Sequence, residues 1–202
     1  MAVSTLYHVS SEIKNPSDCS DDLVARAKGG DREAFGLIFD QNYRFIYKFI
    51  YAMLGEQSLA EELTQETFLG AYKNIHSLWD EAKLQTWLCG IAKNVVLKSL
   101  RSHRRRIKKS DDEIESLNVP DEKNLPPDRQ FLSKELKFLI DAALEKLGED
   151  KRLVFILREL QNLSYKEISE ITGYTIPKLK TDLNRAKAEM RNMLSHFQEV
   201  EK

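Results

Sequence analysis

Apolar residues recur every three or four positions along most of this chain, which is the spacing of amphipathic helices. The sequence lacks the sustained alternation of apolar and polar residues that marks half-buried strands, and it lacks the Asn-Gly and Asp-Gly dipeptides of tight hairpins. The pattern therefore predicts an all-α fold. Breaks in the periodicity divide the chain into two small helical domains joined by a linker.

The first domain is predicted at residues 21–106, as a unit of four helices. Glycines and capping residues delimit the helices. We expect their spans to be Asp21–Ala27, Arg32–Leu54, Ser58–Ile75 and Gln85–Ser102. The apolar stripes expected to face inward include Phe35, Ile38, Ile46, Ile50, Ala60, Leu63, Thr67, Ala71, Ile75, Trp87, Leu88, Ile91 and Val95.

Helical periodicity stops between Ser110 and Asp128, within a linker predicted at residues 107–130. This segment is acidic and contains Pro120, Pro126 and Pro127. Such a composition buries too little apolar surface to offset the entropy of ordering the chain, so the segment is predicted to be a flexible linker. Residues 1–20 precede the first predicted helix and form an N-terminal extension.

The second domain, residues 131–197, ends in the pattern of a helix-turn-helix. Ser164 and Glu167 have the spacing of a capping box, which begins a helix. Gly173 can end that helix in the left-handed conformation, and Thr175 can cap a second one. Two short helices joined by so tight a turn are typical of a DNA-reading motif.

The second helix of this motif has two distinct faces. Its apolar stripe, expected to be buried, consists of Ile176, Leu179, Leu183, Ala186, Met190 and Met193. Its other face carries side chains able to bond phosphates and base edges, namely Lys178, Lys180, Thr181, Asn184, Arg185 and Lys187. An ordinary amphipathic hairpin with a solvated charged face is the alternative interpretation.

Charge is distributed unevenly along the chain. The formal net charge of the 202 residues is only −1, yet residues 83–109 contain nine Lys or Arg and no acid. The next twenty residues, 110–129, contain seven acids. A basic block of this kind favours a polyanionic partner.

Several classes of protein are excluded by the composition. No apolar run approaches the roughly 18 residues of a membrane span, and residues 1–20 lack the features of a secretory signal. Two cysteines are too few for a disulfide framework or a structural zinc site. We find no phosphate-binding glycine loop, metal-ligand cluster or nucleophile–base pair, so we expect no catalytic residue, cofactor or metal. Because the sequence lacks a secretory signal, a membrane span and a disulfide framework, we expect a location inside the cell.

Four segments resemble the extracytoplasmic-function (ECF, group 4) sigma factors of the sigma-70 family. In order, they are Leu23–Phe35 (LVARAKGGDREAF), Ala60–Leu69 (AEELTQETFL), Gln85–Asn94 (QTWLCGIAKN) and Leu163–Lys187. The resemblance covers about residues 21–195, with the order and spacing of the family. It implies sigma region 2 at 21–106 and sigma region 4 at 131–197.

The resemblance implies an alternative sigma factor, which binds core RNA polymerase, directs it to promoters and promotes DNA opening. In the family, the second segment grips the clamp helices of the largest polymerase subunit. The matching residues are Glu61, Glu62, Leu63, Gln65, Glu66 and Phe68. Region 4 would contact the flap of the β subunit.

Promoter contacts follow from the same resemblance. The fourth helix and the residues that flank it would bind the −10 element, partly as single strand, through Lys83, Lys93, Asn94, Lys98, Arg101, Arg104 and Arg105. The loop from His76 to Lys83 would add a pocket for a flipped base. The helix-turn-helix would read duplex −35 DNA through the polar face described above.

The family also implies an anti-sigma factor, often membrane-anchored, that holds the protein in the bacterial cytoplasm. This sequence departs from the family pattern at Leu84, Gln85, Lys98, Pro177 and Lys178, and Asp182 stands where a basic residue is frequent. We exclude Asp182 from the contact set because an acid repels phosphate. A stand-alone helix-turn-helix regulator is the alternative function, although it would not need the polymerase-gripping segment.

Overall fold

The computed structural model describes residues 20–107, 137 and 139–200. Apart from Ser20 and Ile107, the predicted extension and the predicted linker lie outside the described residues, as do residues 131–136 at the start of the second domain. The described residues contain helices and turns but no strand, which confirms the all-α prediction. None of the helices within these ranges is both long and apolar enough to cross a bilayer.

Eight α-helices make up the described fold. In chain order they are α1 (Ser20–Lys28), α2 (Arg32–Leu54), α3 (Gln57–Asn74), α4 (Leu84–Ile107), α5 (139–146), α6 (Glu149–Phe155), α7 (Tyr165–Thr172) and α8 (Ile176–Val200). Two 3-10 turns, Ile75–Ser77 and Glu81–Lys83, connect α3 to α4. A π-helical turn, Ile156–Leu160, continues α6.

Local chemistry explains where α2 begins and ends. The Asp31 carboxylate accepts hydrogen bonds from the backbone N–H groups of Glu33 (2.9 Å) and Ala34 (3.1 Å), which have no partner within the helix. It also pairs with Arg26 of α1 at 2.7 Å. The bond from Ala34 and the pairing with Arg26 hold the pKa of Asp31 below its usual value. At the other end, Gly55 stops the helix with a φ of 77°.

The core of the first domain is formed by α1 to α4. On α3, the predicted inward residues Ala60, Leu63, Thr67, Ala71 and the adjoining Ile75 are all buried, as the periodicity indicated. Thr64 and Thr67 are buried too, and each hydroxyl donates to a backbone carbonyl one turn earlier (2.6 and 2.7 Å). Burial therefore leaves no polar group of these threonines unsatisfied.

The buried stripe of α4 differs from the prediction. Leu88 is buried as expected, but Trp87, Ile91 and Val95 are only partly buried. The buried apolar positions are Leu84, Leu88, Cys89, Ala92 and Val96. The stripe is displaced because α4 packs against α2 and α3 on one side and against α7 on another, so its most shielded line lies between the two contacts.

The second domain forms the helix-turn-helix that the sequence predicts. Ser164 accepts from the backbone N–H of Glu167, whose carboxylate accepts in turn from the N–H of Ser164, which completes the capping box. Gly173 ends α7 with a φ of 75°. The stripe of α8 is buried at Leu179, Leu183, Ala186 and Met190 and half-buried at Met193. Ile176 was predicted to be buried but is 41% exposed, because it is the first residue of α8 and projects beyond the core.

The π-helical turn precedes the helix-turn-helix. The N–H of Gln161 donates to the carbonyl of Ile156, five residues earlier (3.0 Å), and the N–H of Leu163 donates to the carbonyl of Leu157 (3.0 Å). Asn162 between them adopts a φ of 57°. These bonds satisfy the end of α6 and set the direction in which the chain enters α7.

Gly173→Ala should destabilise the protein by about 1 kcal/mol, because alanine disfavours the left-handed conformation. A Cβ at this position would meet no atom within 4 Å, so the cost is one of backbone conformation alone. The matched control is Gly36→Ala in the interior of α2, where a Cβ would also meet no atom within 4 Å. The control should stabilise by roughly 0.5–1 kcal/mol. Urea unfolding followed by circular dichroism measures both, and equal effects would contradict the cap assignment.

Candidate nucleic-acid interface

The outer face of α8 presents most of the predicted −35 residues to solvent. Lys180, Thr181, Asn184 and Arg185 are exposed, on the opposite side from the buried Leu179 and Leu183. The Thr181 hydroxyl donates to the carbonyl of Pro177 at 3.0 Å, which fixes its orientation. An exposed polar ridge on a helix held firmly by its other face can enter a DNA groove.

Lys178, at the start of the same helix, is engaged within the protein. Its ammonium lies 2.5 Å from Asp182 and 3.2 Å from Asp150, and 3.8 Å from the centre of the Tyr174 ring. The hydrogen bonds to Asp182 and Asp150 raise the pKa of Lys178. This cluster explains how the helix accommodates Asp182, whose side chain is largely covered and whose charge Lys178 balances. Lys187 is also paired, with Glu159 at 2.9 Å.

The residues predicted to bind the −10 element divide into two groups. Asn94, Lys98, Arg101 and Arg105 are exposed. Lys98 makes one weak contact, 3.4 Å from Glu66 of α3, at a site with high solvent access. The exposed group forms an edge of positive charge along α4 that is open to a phosphate backbone.

The other predicted −10 residues contact the second domain. Lys83 lies 3.0 Å from both oxygens of Glu170, the Lys93 ammonium donates to the carbonyl of Ile171 at 2.8 Å, and Arg104 pairs with Glu149. Burial lowers the pKa of Lys93, and the nearby Arg101 lowers it further. These three cations are therefore occupied in this arrangement of the domains.

Trp79 stands out in the loop between α3 and α4. It is 82% exposed, although the neighbouring Leu78 is buried and anchors the loop. The ammonium of Lys83 lies 5.5 Å from the centre of its ring. Sequence reasoning selected the loop but not this side chain. The sequence did contain an indication that Trp79 is exposed, because this residue falls outside the apolar stripes of the helices on either side.

The predicted polymerase-binding residues of α3 occupy two environments. Glu61, Glu62, Gln65 and Glu66 are exposed along one edge of the helix. Leu63 and Phe68 belong to the core instead: Phe68 is 3% exposed, and its ring meets the ring of Phe39 edge-on with centroids 4.8 Å apart. The two side chains therefore lie beneath the docking edge rather than on it, and their contact with polymerase stays a prediction.

Two apolar side chains that the sequence analysis did not select complete the acidic edge of α3. Leu69 is 61% exposed, and Tyr72, one turn further, is also exposed and packs edge-on against Phe35 of α2. The combination of carboxylates and exposed apolar groups on one helix edge suits a partner helix that is both basic and apolar.

Comparison with known proteins places this arrangement in a family. The family model for Sigma-70 region 2 matches residues 38–106, and the model for Sigma-70 region 4 matches residues 137–190. The ECF RNA polymerase sigma factor SigW of Bacillus subtilis is 31% identical over 182 residues, covering 85% of this chain and 94% of SigW. The chain belongs to the extracytoplasmic-function sigma factors. It is an alternative sigma factor that acts in transcription initiation.

Further relatives agree with this membership. The ECF RNA polymerase sigma-E factor of Escherichia coli is 31% identical over 177 residues, covering 84% of this chain and 91% of the relative. The sigma factor RpoE of Bartonella quintana, solved in complex with the anti-sigma factor NepR, superimposes with a TM-score of 0.65 at 25% identity, over 80% of this chain and 96% of RpoE. The family predicted from the sequence motifs is thus confirmed.

Proposed function

We propose that residues 21–106 act as sigma region 2, residues 131–197 as sigma region 4, and residues 107–130 as the linker between them. The observation that carries this proposal is the separation of faces on α8 and α4: each helix buries one stripe and exposes basic and amide side chains along another. The ranges of the two family matches support the division.

Region 4 reads the −35 element through α8. Lys180, Thr181, Asn184 and Arg185 contact bases and phosphates in the major groove. Lys178 orients the start of the helix through its bonds to Asp150 and Asp182, and Lys187 reaches phosphate by exchanging Glu159 for DNA. The β-subunit flap of the polymerase holds this domain at the upstream element.

Region 2 engages the −10 element through α4 and the loop before it. Asn94, Lys98, Arg101 and Arg105 track the backbone, and Lys83, Lys93 and Arg104 join them once they leave their partners in the second domain. Trp79 offers an exposed ring on which an unstacked base can lie. Capturing such bases stabilises the open strands, so the sigma factor works by binding and assembly and has no catalytic residue or cofactor.

Core RNA polymerase binds the acidic edge of α3. Glu61, Glu62, Gln65 and Glu66 face the clamp helices of the largest subunit, and Leu69 supplies apolar contact. In the bacterial cytoplasm, an anti-sigma factor competes with core polymerase for binding to this sigma factor. The likeness to RpoE, which was solved with NepR, supports this partner class.

Reversing two charges on the docking edge should weaken holoenzyme assembly. We expect Glu62→Lys with Glu66→Lys to lower the affinity for core polymerase roughly tenfold or more, because like charges then face each other. The matched control is Asp22→Lys with Asp40→Lys, which reverses two exposed acids outside α3. Fluorescence anisotropy of labelled sigma factor titrated with core enzyme gives both affinities. Equal losses in the two variants would reject the docking edge.

Trp79→Ala should weaken binding of the holoenzyme to fork-junction DNA carrying a single-stranded −10 element by about 1–3 kcal/mol, the usual contribution of one stacked base. The fold should be unaffected because the side chain is 82% exposed. Duplex DNA with only the −35 element is the control substrate, and its affinity should stay the same. A loss of equal size on both DNAs would argue against base stacking.

Arg185→Ala and Lys187→Ala should have different effects on DNA binding. Removing Arg185 should cost about 1–3 kcal/mol of discrimination between matched and mismatched −35 elements if it contacts a base edge. Removing Lys187 should weaken binding to every sequence and reduce the dependence on salt. Holoenzyme binding to both promoters is measured across a salt series. If both variants weaken binding to matched and mismatched DNA equally, the assignment of base contact to Arg185 and phosphate contact to Lys187 is refuted.

A further inference from the structure

Helix α1 precedes the residues that match Sigma-70 region 2, 38–106, and takes no part in the proposed contacts with DNA or polymerase. It buries Leu23, Val24 and Ala27 in the core of the first domain. It also packs against α2 and against both 3-10 turns of the loop between α3 and α4. Helix α1 is therefore a direct neighbour of the loop that carries Trp79.

Two ion pairs fasten the last turn of α1. Arg26 pairs with Asp31 at 2.7 Å, which ties α1 to the start of α2. The ammonium of Lys28 lies 3.4 Å from the carboxylate of Glu81, which ties α1 to the second 3-10 turn of the loop. The side chains of Lys28 and Glu81 are only 25% and 28% exposed. A partly covered pair of this kind is screened by salt less than a fully exposed one.

The 3-10 turn held by α1 begins two residues after Trp79. Asp80 caps this turn, because its carboxylate accepts from the N–H of Ala82 (3.2 Å) and its carbonyl accepts from the N–H of Lys83 (3.0 Å). The ammonium of Lys83 lies 5.5 Å from the centre of the Trp79 ring. On the other side of Trp79, Leu78 is buried. The exposed ring thus stands between a buried anchor and a turn that α1 holds.

Glu81 is an acid in a loop proposed to receive single-stranded DNA. An unbalanced carboxylate at this place would repel the phosphates of the strand. Lys28 brings a positive charge to the carboxylate from the side of α1, so the repulsion is reduced. The same contact restrains the turn, and a loop that is already fixed loses less entropy when it binds. Both effects of the Lys28–Glu81 pair favour capture of the strand.

We propose that Lys28 is a positioning residue for recognition of the −10 element: through Glu81, it holds the 3-10 turn beside Trp79 in the geometry that accepts an unstacked base. Helix α1 then acts as a brace for the loop that captures the single strand. This inference rests on the proposed stacking of a base on Trp79. The brace itself is a property of the free protein, so it can be tested without DNA.

The mobility of Trp79 in the free protein tests the brace. The chain contains two tryptophans, so Trp87→Phe leaves Trp79 as the single fluorophore. In this background, Lys28→Met should raise the amplitude of the fast, nanosecond decay of fluorescence anisotropy by about 1.5- to twofold, because the turn loses its tether. Exchanging the two charges, Lys28→Glu with Glu81→Lys, should restore the original amplitude. The matched control is Lys73→Met at the end of α3, which should leave the amplitude unchanged.

A double-mutant cycle on DNA tests the positioning role. Lys28→Met should lower the affinity of the holoenzyme for fork-junction DNA with a single-stranded −10 element by about three- to fivefold, and leave the affinity for duplex −35 DNA unchanged. In the background of Glu81→Gln, the same substitution should change the affinity by less than about 1.5-fold, because Lys28 then has no carboxylate to act through. Lys73→Met should bind both DNAs as the unsubstituted protein does.

Each outcome decides a separate point. An unchanged anisotropy decay of Trp79 in Lys28→Met, or a failure of the charge exchange to restore it, overturns the brace. A loss of DNA affinity that is equally large in the Glu81→Gln background would mean that Lys28 does not act through Glu81, and overturns the positioning role. Equal losses from Lys28→Met and Lys73→Met would reveal a general effect of charge and overturn it too.

Failure of the proposed stacking would be recognised by a different result. Trp79→Ala would then leave the affinity for fork-junction DNA unchanged, while Lys28→Met would still raise the mobility of Trp79 in the free protein. The two proposals therefore stand or fall on different measurements.

Discussion

The burial of one side of α4 is the packing constraint on which the rest of the arrangement depends. Leu88, Cys89, Ala92 and Val96 are shielded from solvent because α2 and α3 cover α4 on one side and α7 covers it on another. Two of these residues have small side chains, which lets neighbouring helices approach closely. Polar residues of α4 can then lie only along the rims between its neighbours, and this is where its lysines and arginines are found.

The same constraint explains why several cations of α4 have partners within the described residues. A cation on the rim of α4 faces the helix beside it, and that helix offers an acid or a free carbonyl, as Glu66 does for Lys98 and Ile171 for Lys93. The start of α8 follows the same rule, with Asp150 and Asp182 on Lys178. The paired cations must therefore exchange their protein partners before they can bind a polyanion, whereas Arg101, Arg105 and Arg185 are already exposed.

Features set by neighbouring residues in the chain were predictable. The capping box at Ser164 and Glu167, the glycine ends at Gly55 and Gly173, and the buried stripe of α3 each depend on spacing within one helix. The family itself was also accessible, because its motifs are contiguous segments.

Features set by distant contacts were not predictable. The stripe of α4 was displaced by a second neighbour, α7, whose position is not encoded in the periodicity of α4. Phe68 and Leu69 are adjacent and both apolar, and only the tertiary fold decides that Phe68 packs inside while Leu69 remains outside. Lys83 and Glu170 are 87 positions apart, so nothing in the local sequence indicates their pairing.

The π-helical turn at Ile156–Leu160 determines how the architecture responds to a change in chain length. A π turn accommodates one residue more than an α turn. Deleting a single residue here would convert the π turn into an α turn, so the change would be absorbed locally and the following helices would keep nearly the same direction. A deletion in the regular part of α6 would instead rotate everything that follows by about 100° around the helix axis. The π turn therefore gives the DNA reader a tolerance for chain length that a regular helix lacks.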